Sequence, residues 1–374
     1  MDRACLIIAA SEKNADLYYA TRFLAPDPFI FAEINGRRII AISDLEIDRA
    51  KSQAKVDEVL SFKTLQKAVS RRGMNEPTTA DVADELLKGY SVTKVEVPSD
   101  FSLLHADGLR KHGYTLEPKS DPFFPERLIK SKEEIAFLTQ TLRSTEEALR
   151  LAIELIHRAS VAADGALQLE GSPLTAERLR RAIHMALLEM DCTAWHTIVA
   201  CGVQAVDPHN EGFGLLRANE PIVIDVFPKH AATLYFADIT RTVVKGRASE
   251  KVVRMFNAVK EGQAIAFRMI KDGVDGSSVH NAILDFFEKQ GFKTGEQNGR
   301  LQGFFHGTGH GVGLEIHEPP RINPKPDALK EGMVVTVEPG LYYLDGGGVR
   351  IEDMVVVTKD GCRVLTEAPK VLEV

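Results

Sequence analysis

Residues 306–318 of this 374-residue chain are HGTGHGVGLEIHE. The stretch holds three of the chain's 11 histidines, His306, His310 and His317, spaced among four glycines. Glycine lets a backbone pass close to a ligand, and neutral imidazole is a common metal ligand. The spacing does not fit the dinucleotide-binding pattern, because Val312 stands where a third glycine is needed. The stretch therefore predicts a metal site rather than a phosphate cradle.

Four carboxylates adjoin apolar strands in the second half of the chain. Asp225 ends an apolar run, and Asp238 follows thirteen residues later, so a β-hairpin would bring both to one side. Glu338 follows the apolar segment 333–337, and Glu352 precedes the apolar segment 354–357. Singly, such acids are ordinarily solvated turn or edge-strand residues. A carboxylate inside an apolar strand, however, is costly to bury unless it is paired or bound to metal.

Taken together with His310, the four carboxylates supply enough ligands and negative charge for two divalent cations. Two-metal sites with ions roughly 3.5–4 Å apart occur in aminopeptidases and phosphatases, where they activate water and bind the substrate oxygen. A set rich in carboxylates and free of thiols favours Mn²⁺, with Zn²⁺ or Co²⁺ as alternatives.

The order of strand-like and helix-like segments indicates two domains. Over residues 1–125 the two kinds alternate, with strands near 6–8 and 38–42 and helices at 58–69 and 79–87, which predicts a small α/β domain. Residues 118–130 contain several prolines and have the character of a linker. Ser131 and Glu134 then form a capping box that begins a long helix. Within residues 126–374 the order helix, helix, strands occurs twice, which suggests two duplicated halves.

Composition excludes several classes of partner. Charged residues make up 26% of the chain, the net charge is -7, and the two signs are interspersed. No basic stripe suited to nucleic acid or to an anionic membrane is present. The four cysteines are widely separated and predict reduced thiols, and the apolar stretch 4–10 is interpreted as a first strand rather than a signal peptide. We expect a cytoplasmic protein.

The motifs resemble those of the Xaa-Pro peptidases, aminopeptidase P and prolidase. These are metallopeptidases of the pita-bread fold, which they share with methionine aminopeptidase and creatinase. The resemblance extends over nearly the whole chain. It is weak at 14–21 (NADLYYAT) and specific at Asp225, at D-I-T-R-T (238–242), at H-G-x-G-H (306–310), at E-P-G (338–340) and at R-I-E-D (350–353). It implies an α/β fold in which a small N-terminal domain precedes a pita-bread catalytic domain with pseudo-twofold duplicated halves.

All five ligand positions of that family carry the expected residue types. The resemblance implies that Asp238 and Glu352 bridge two metal ions. Asp225 would complete the shell of one ion, and His310 with Glu338 that of the other. A metal-bridging hydroxide would attack the scissile carbonyl, with Glu338 as general base and acid.

Further residues match the substrate site of the family. His209 and His317 would flank the substrate and stabilise the oxyanion as it forms. Arg350 would hold a substrate carboxylate or orient the metal ligands. Phe227 stands where the family usually has the glycine of Asp-x-Gly, and the span to Asp238 is slightly longer than expected, so Phe227 and its neighbours would shape the substrate pocket differently.

The implied activity is cleavage of the N-terminal Xaa-Pro bond of small peptides with proline at the second position. Either an Xaa-Pro aminopeptidase or an Xaa-Pro dipeptidase fits, as a homodimer or higher homo-oligomer. An N-terminal domain of this size is absent from simple methionine aminopeptidases. One alternative is a hydrolase or lyase of the same fold acting on a non-peptide C–N or C–O bond. Another, a non-catalytic peptide-binding homologue, would be indicated by lost ligands, and none is lost.

Overall fold

A mixed six-stranded sheet forms the first part of the protein. The computed structural model describes residues 3–297 and 299–374, which divide into one unit ending at Arg127 and another beginning at Leu128. The strands of the first unit are β1 (Arg3–Ala9), β2 (Phe29–Ile34), β3 (Arg37–Ile42), β4 (Glu58–Ser61), β5 (Lys94–Pro98) and β6 (Thr115–Lys119). Its helices are α1 (Ala15–Thr21), α2 (Ile47–Gln53), α3 (Phe62–Ser70), α4 (Thr79–Leu87) and α5 (Leu103–Lys111). In space the strands follow the order β4-β3-β2-β1-β5-β6.

A tight turn joins β2 and β3. Asn35 and Gly36 both adopt positive φ, 52° and 76°, as a two-residue hairpin turn requires. Strand β2 is buried at most of its positions, and so is most of β3. Separate apolar clusters pack around the sheet, one including Leu86 and Leu109 and the other including Phe23 and Phe31.

The helix predicted over 58–69 is wrong at its start. Residues Glu58–Ser61 form β4, which pairs parallel to β3. The helix begins only at Phe62, because the Ser61 side chain accepts a hydrogen bond from Thr64 N at 3.0 Å and so caps it. Pairing with a neighbouring strand, which lies outside any local pattern, decides these four residues.

In its described residues, the second unit contains four long helices and a larger set of short strands. Its helices are α6 (Lys132–Arg158), α7 (Ala176–Glu189), α8 (Glu250–Met269) and α9 (Gly276–Lys289). Its strands are β7 (Ser160–Val161), β8 (Leu167–Leu169), β9 (Ser172–Pro173), β10 (Cys192–Thr193), β11 (Ile198–Cys201), β12 (Pro221–Val226), β13 (Lys229–His230), β14 (Ile239–Val244), β15 (Gly295–Gln297), β16 (Arg300–Gln302), β17 (Gly309–Gly311), β18 (Glu318–Ile322), β19 (Val334–Val337), β20 (Gly340–Tyr343), β21 (Gly347–Arg350), β22 (Asp353–Val357) and β23 (Cys362–Val364).

Each half of the second unit has its own helix pair over its own sheet. Helices α6 and α7 share an apolar cluster with the sheet β11-β12-β14, through residues such as Leu149, Ile183 and Ile224. Helices α8 and α9 share another with the sheet β18-β17-β19-β22-β23, through residues such as Val259 and Val335. The predicted capping box of Ser131 and Glu134 begins α6. Residues of both sheets line one cavity.

One further sequence prediction concerns the cysteine thiols. Cys5, Cys192, Cys201 and Cys362 are all free thiols. None of the helices within residues 3–297 and 299–374 is both long and apolar enough to cross a membrane.

Candidate metal centre and active site

The predicted hairpin brings Asp225 and Asp238 to one cavity. Strand β12 pairs antiparallel with β14, and Val226 lies opposite Ile239. Asp225 stands one residue before the end of β12, and Asp238 directly precedes β14. Both carboxylates line a cavity of about 890 Å³ in the second unit.

Two glycines allow the histidine-bearing strand to fit between its neighbours. A Cβ atom at Gly309 would lie 2.0 Å from the carbonyl oxygen of Thr336, and one at Gly311 would lie 2.2 Å from that of Pro319. No other residue has room at either position. The close approach of β17 to β18 and β19 therefore depends on these glycines, and it holds His310 at the cavity.

The remaining predicted ligands approach His310 from the ends of separate strands. Glu338 follows β19, and Glu352 lies between β21 and β22. The Nε2 atom of His310 is 3.6 Å from Asp238 Oδ2 and 3.5 Å from Glu338 Oε1. These separations exceed a hydrogen bond and match the roughly 3.4 Å between two donors that each bind one tetrahedral ion at about 2.1 Å.

Within the described part of the chain, one group of acids and histidines is arranged to hold a metal. Donor atoms of Asp238, His310 and Glu352 all lie within 4.8 Å of one another, and all three residues are buried. His310 Nδ1 donates to the carbonyl oxygen of Gly311 at 3.1 Å. That bond leaves the lone pair of Nε2 directed to the group, as in most imidazole–metal bonds.

The electrostatics of the group call for a cation. Burial, with repulsion from neighbouring carboxylates, raises the pKa of Asp238 and that of Glu352 well above their ordinary values. Burial also raises the pKa of Glu338 to about 8 and lowers the pKa of His310 to about 3. Asp225 Oδ1 is buried and accepts no hydrogen bond from the described residues. The neutral imidazole has a free lone pair, and the buried carboxylates repel one another and are incompletely hydrogen-bonded. This set of groups fits a divalent metal ion.

Arg350 fixes the geometry around Asp225. Its Nη2 donates to Asp225 Oδ2 at 2.8 Å, and its Nη1 donates to the hydroxyl of Tyr342 at 2.8 Å. The Tyr342 hydroxyl in turn lies 2.8 Å from His306 Nε2. On the other side of the group, Thr240 Oγ1 donates to Glu352 Oε2 at 2.8 Å. Arg350 therefore orients Asp225, and Thr240 orients Glu352.

All nine residues singled out in the sequence line this cavity. They are Asp225, Asp238, His310, Glu338, Glu352, His209, His317, Arg350 and Phe227. The ring of His317 lies edge-on to that of His310, with centroids 4.4 Å apart. Burial, followed by the charge of Arg321, lowers the pKa of His317, so its imidazole is neutral near pH 7.

Arg321 and Tyr342 were missed in the sequence. Arg321 is half-buried, lines the cavity and pairs in register with His310 across β17 and β18. Its position four residues after His317, directly after Pro319 and Pro320, was the available signal. Tyr342 is buried in β20 and carries no local signal, because its partners lie elsewhere in the chain.

Comparison with known proteins identifies the family of the chain. The model of Metallopeptidase family M24 matches residues 139–359. An uncharacterized peptidase, YqhT of Bacillus subtilis, is 30% identical over 96% of this chain and 93% of its own length. The Xaa-Pro dipeptidase of Pyrococcus furiosus is 29% identical over 88% of this chain and 85% of its own length. The crystal structure of an X-Pro aminopeptidase from Thermotoga maritima superposes with a TM-score of 0.82 at 24% identity, covering 100% of this chain and 97% of that one. The chain therefore belongs to metallopeptidase family M24, as a metal-dependent peptidase of the pita-bread fold.

Proposed function

We propose that the protein is a dinuclear metallopeptidase that hydrolyses the bond between an N-terminal residue and proline. The observation that carries this proposal is the convergence of Asp225, Asp238, His310, Glu338 and Glu352 in one cavity. The specificity is supported by relatives that act on Xaa-Pro substrates, among them the dipeptidase of Pyrococcus furiosus. Proline has no amide N–H and a fixed φ, so a peptidase dedicated to it serves bonds that general peptidases cleave poorly.

The five convergent residues would hold two divalent ions. Asp238 and Glu352 would bridge them, Asp225 would complete the shell of one, and His310 with Glu338 that of the other. When bound, such ions lower the pKa of a water molecule and polarise the scissile carbonyl. Four carboxylates with one imidazole support Mn²⁺, with Zn²⁺ or Co²⁺ as alternatives.

Glu338 is the proposed general base and acid. It is less enclosed than its neighbours, with 19% of its side chain exposed, and it borders the cavity. Burial raises the pKa of the Glu338 carboxyl to about 8 in the metal-free chain. Bound cations would lower that pKa and keep the carboxylate ionised, so that Glu338 can take a proton from the attacking water and return it to the leaving proline nitrogen.

The charges of the cavity give the peptide a direction. Arg321, from the second half of the unit, would bind the substrate carboxylate, whereas the free amino group would lie at the acidic end of the cavity, beside Asp225 of the first half. Asp207 and Glu211, also on the first-half side, add negative charge at the amino end. Arg350 is largely occupied by Asp225 and its other partners, which favours the orienting role for it over carboxylate binding.

His209 and His317 are the proposed oxyanion-stabilising residues. Both line the cavity, and a neutral imidazole can donate one N–H to the oxygen that becomes negative. His317 meets that requirement because its pKa is lowered by burial and by Arg321. The predictions of a homo-oligomer and of a cytoplasmic location stay predictions.

The test is hydrolysis by the Mn²⁺-loaded protein of paired Xaa-Pro dipeptides and Xaa-Pro-Yaa tripeptides. Glu338→Gln is expected to abolish cleavage. The matched control is Glu331→Gln, which makes the same change at a solvent-exposed position seven residues away and is expected to retain full activity. The dipeptide-to-tripeptide ratio separates a dipeptidase from an aminopeptidase. No cleavage of either series by metal-loaded protein would refute the Xaa-Pro assignment and favour a non-peptide bond as the target.

A further inference from the structure

An apolar surface flanks Asp225 at the amino end of the cavity. Ile198 lies directly opposite Asp225 in the pairing of β11 with β12, and Phe227 follows Asp225 by two residues. Ile198 and Phe227 both line the cavity. Phe227 is half-buried, so part of its ring is open to the cavity. A group bound at Asp225 therefore has an aromatic and an aliphatic side chain as neighbours.

The segment that carries Phe227 is firmly anchored. The next residue is Pro228, which restricts Phe227 to extended backbone conformations. Strand β13 pairs with β10, and just beyond it Ala231 N donates to Asp191 O at 2.8 Å. Near the far end of the segment, Phe236 N donates to the carbonyl oxygen of Gly313 at 2.9 Å. These contacts hold the loop in place, so Phe227 forms a fixed part of the cavity wall.

We propose that Phe227, with Ile198, determines specificity for the side chain of the substrate's first residue. The inference rests on the proposed function, because it uses the peptide direction in which the amino group lies at the Asp225 end of the cavity and the carboxylate at Arg321. In that direction the first side chain lies against Phe227. Burying an apolar side chain against an aromatic and an aliphatic surface is favourable. The same surface offers no hydrogen-bond partner to a polar side chain. Leucine and methionine are therefore favoured over alanine and serine as the first residue.

The test compares first residues while the second residue is held constant. kcat/KM is measured for Leu-Pro, Ala-Pro, Leu-Ala and Ala-Ala with the wild-type protein and with Phe227→Ala. Inhibition by free leucine and by free alanine is measured in parallel, because it reports the first-residue site without the chemical step. One methylene in an apolar pocket is worth about tenfold or more, so Phe227→Ala is expected to lower the Leu-to-Ala ratio about tenfold in both measurements.

Phe236→Ala is the matched control. It removes the same ring from the same loop, but the Phe236 ring contacts Lys229, at 5.8 Å from the ammonium to the ring centroid, and is not among the described cavity-lining residues. The Leu-to-Ala ratio is expected to stay within twofold of the wild-type value. Melting temperatures verify folding, and Phe227→Asn, which also removes the apolar wall, replaces the alanine variant if that variant does not fold.

Different outcomes separate this inference from the proposed function. A Leu-to-Ala ratio that is unchanged in Phe227→Ala overturns the inference, as does a change confined to the ratio of Leu-Pro to Leu-Ala, which would place the ring at the second residue. If the wild-type protein cleaves Leu-Ala as well as Leu-Pro and the Phe227→Ala effect persists, the proline specificity fails and the inference stands. Absence of cleavage together with absence of leucine binding refutes both.

Discussion

Replacing Arg350 by methionine is expected to weaken metal binding ten- to a hundredfold. Arg350 is 3% exposed and donates to Asp225 Oδ2 and to the Tyr342 hydroxyl at 2.8 Å each, with longer bonds to Pro208 O and Thr240 Oγ1 at 3.3 Å. Methionine keeps the apolar stem and removes every one of these donors. Asp225, whose Oδ1 already has no described partner, would then lose the bond that orients its other oxygen.

The magnitude follows from the role of partners that orient metal ligands. Losing one typically costs roughly 10–100-fold in metal affinity or activity, which corresponds to about 1.4–2.7 kcal/mol. Mn²⁺ titration calorimetry on the apo-protein measures the affinity, and kcat/KM on Xaa-Pro dipeptides measures the catalytic consequence. Arg350→Lys keeps a charge near Asp225 and is expected to lose less. Folding is verified by thermal melting, because a buried ion pair is broken.

One result would refute this account of Arg350. If metal affinity is unchanged in Arg350→Met while KM rises for dipeptides with a free carboxylate and not for their carboxyl-terminal amides, then Arg350 binds the substrate carboxylate. The same pair of substrates assigns that role to Arg321 if its variant shows the effect instead.

The remaining predictions address substrate binding, stability and metal linkage. Arg321→Gln is expected to raise KM for Xaa-Pro dipeptides about tenfold and to spare the corresponding amides, because a charge-assisted bond is lost; steady-state kinetics on the two substrates tests this. Arg241→Met is expected to destabilise the protein by about 3 kcal/mol in calorimetric unfolding. It leaves Lys370 as the remaining cation at the buried Asp353 carboxylate, and it removes the donor to the buried carbonyl oxygens of Thr240 and Glu352. An unchanged unfolding free energy would contradict this expectation. Mn²⁺ at about 100 times its Kd is expected to stabilise the fold by about 2.7 kcal/mol for each ion bound, and EDTA should reverse the rise in melting temperature. Thr78→Ala, which removes the cap of α4, is expected to cost about 1 kcal/mol in denaturant unfolding, whereas an equal loss from Thr79→Ala would argue against a capping effect.

The residues proposed to bind metal could be singled out in the sequence because several of them break a local rule. Glu338 and Glu352 adjoin apolar strands, where an unpaired carboxylate is costly, and His310 stands among glycines that only a close backbone approach requires. A residue type that does not suit its sequence neighbours can be recognised from the sequence alone. The resemblance to a known family then joined them into one site.

What escaped prediction depends on contacts between distant segments. The β4 residues 58–61 have a helix-compatible pattern and become a strand only because β3 offers an edge. The bond from Arg350 to Asp225 spans 125 positions, so the choice between its two proposed roles needed the structure. Arg321 resembles an ordinary strand cation until its register with His310 places it at the cavity.

The most direct test of the central claim is the anomalous diffraction of crystals grown or soaked with Mn²⁺. Two anomalous peaks are predicted, roughly 3.5–4 Å apart. Both should contact Asp238 and Glu352, one should also contact Asp225, and the other His310 and Glu338. A single peak, or peaks outside this cavity in crystals of metal-loaded protein, would contradict the dinuclear site.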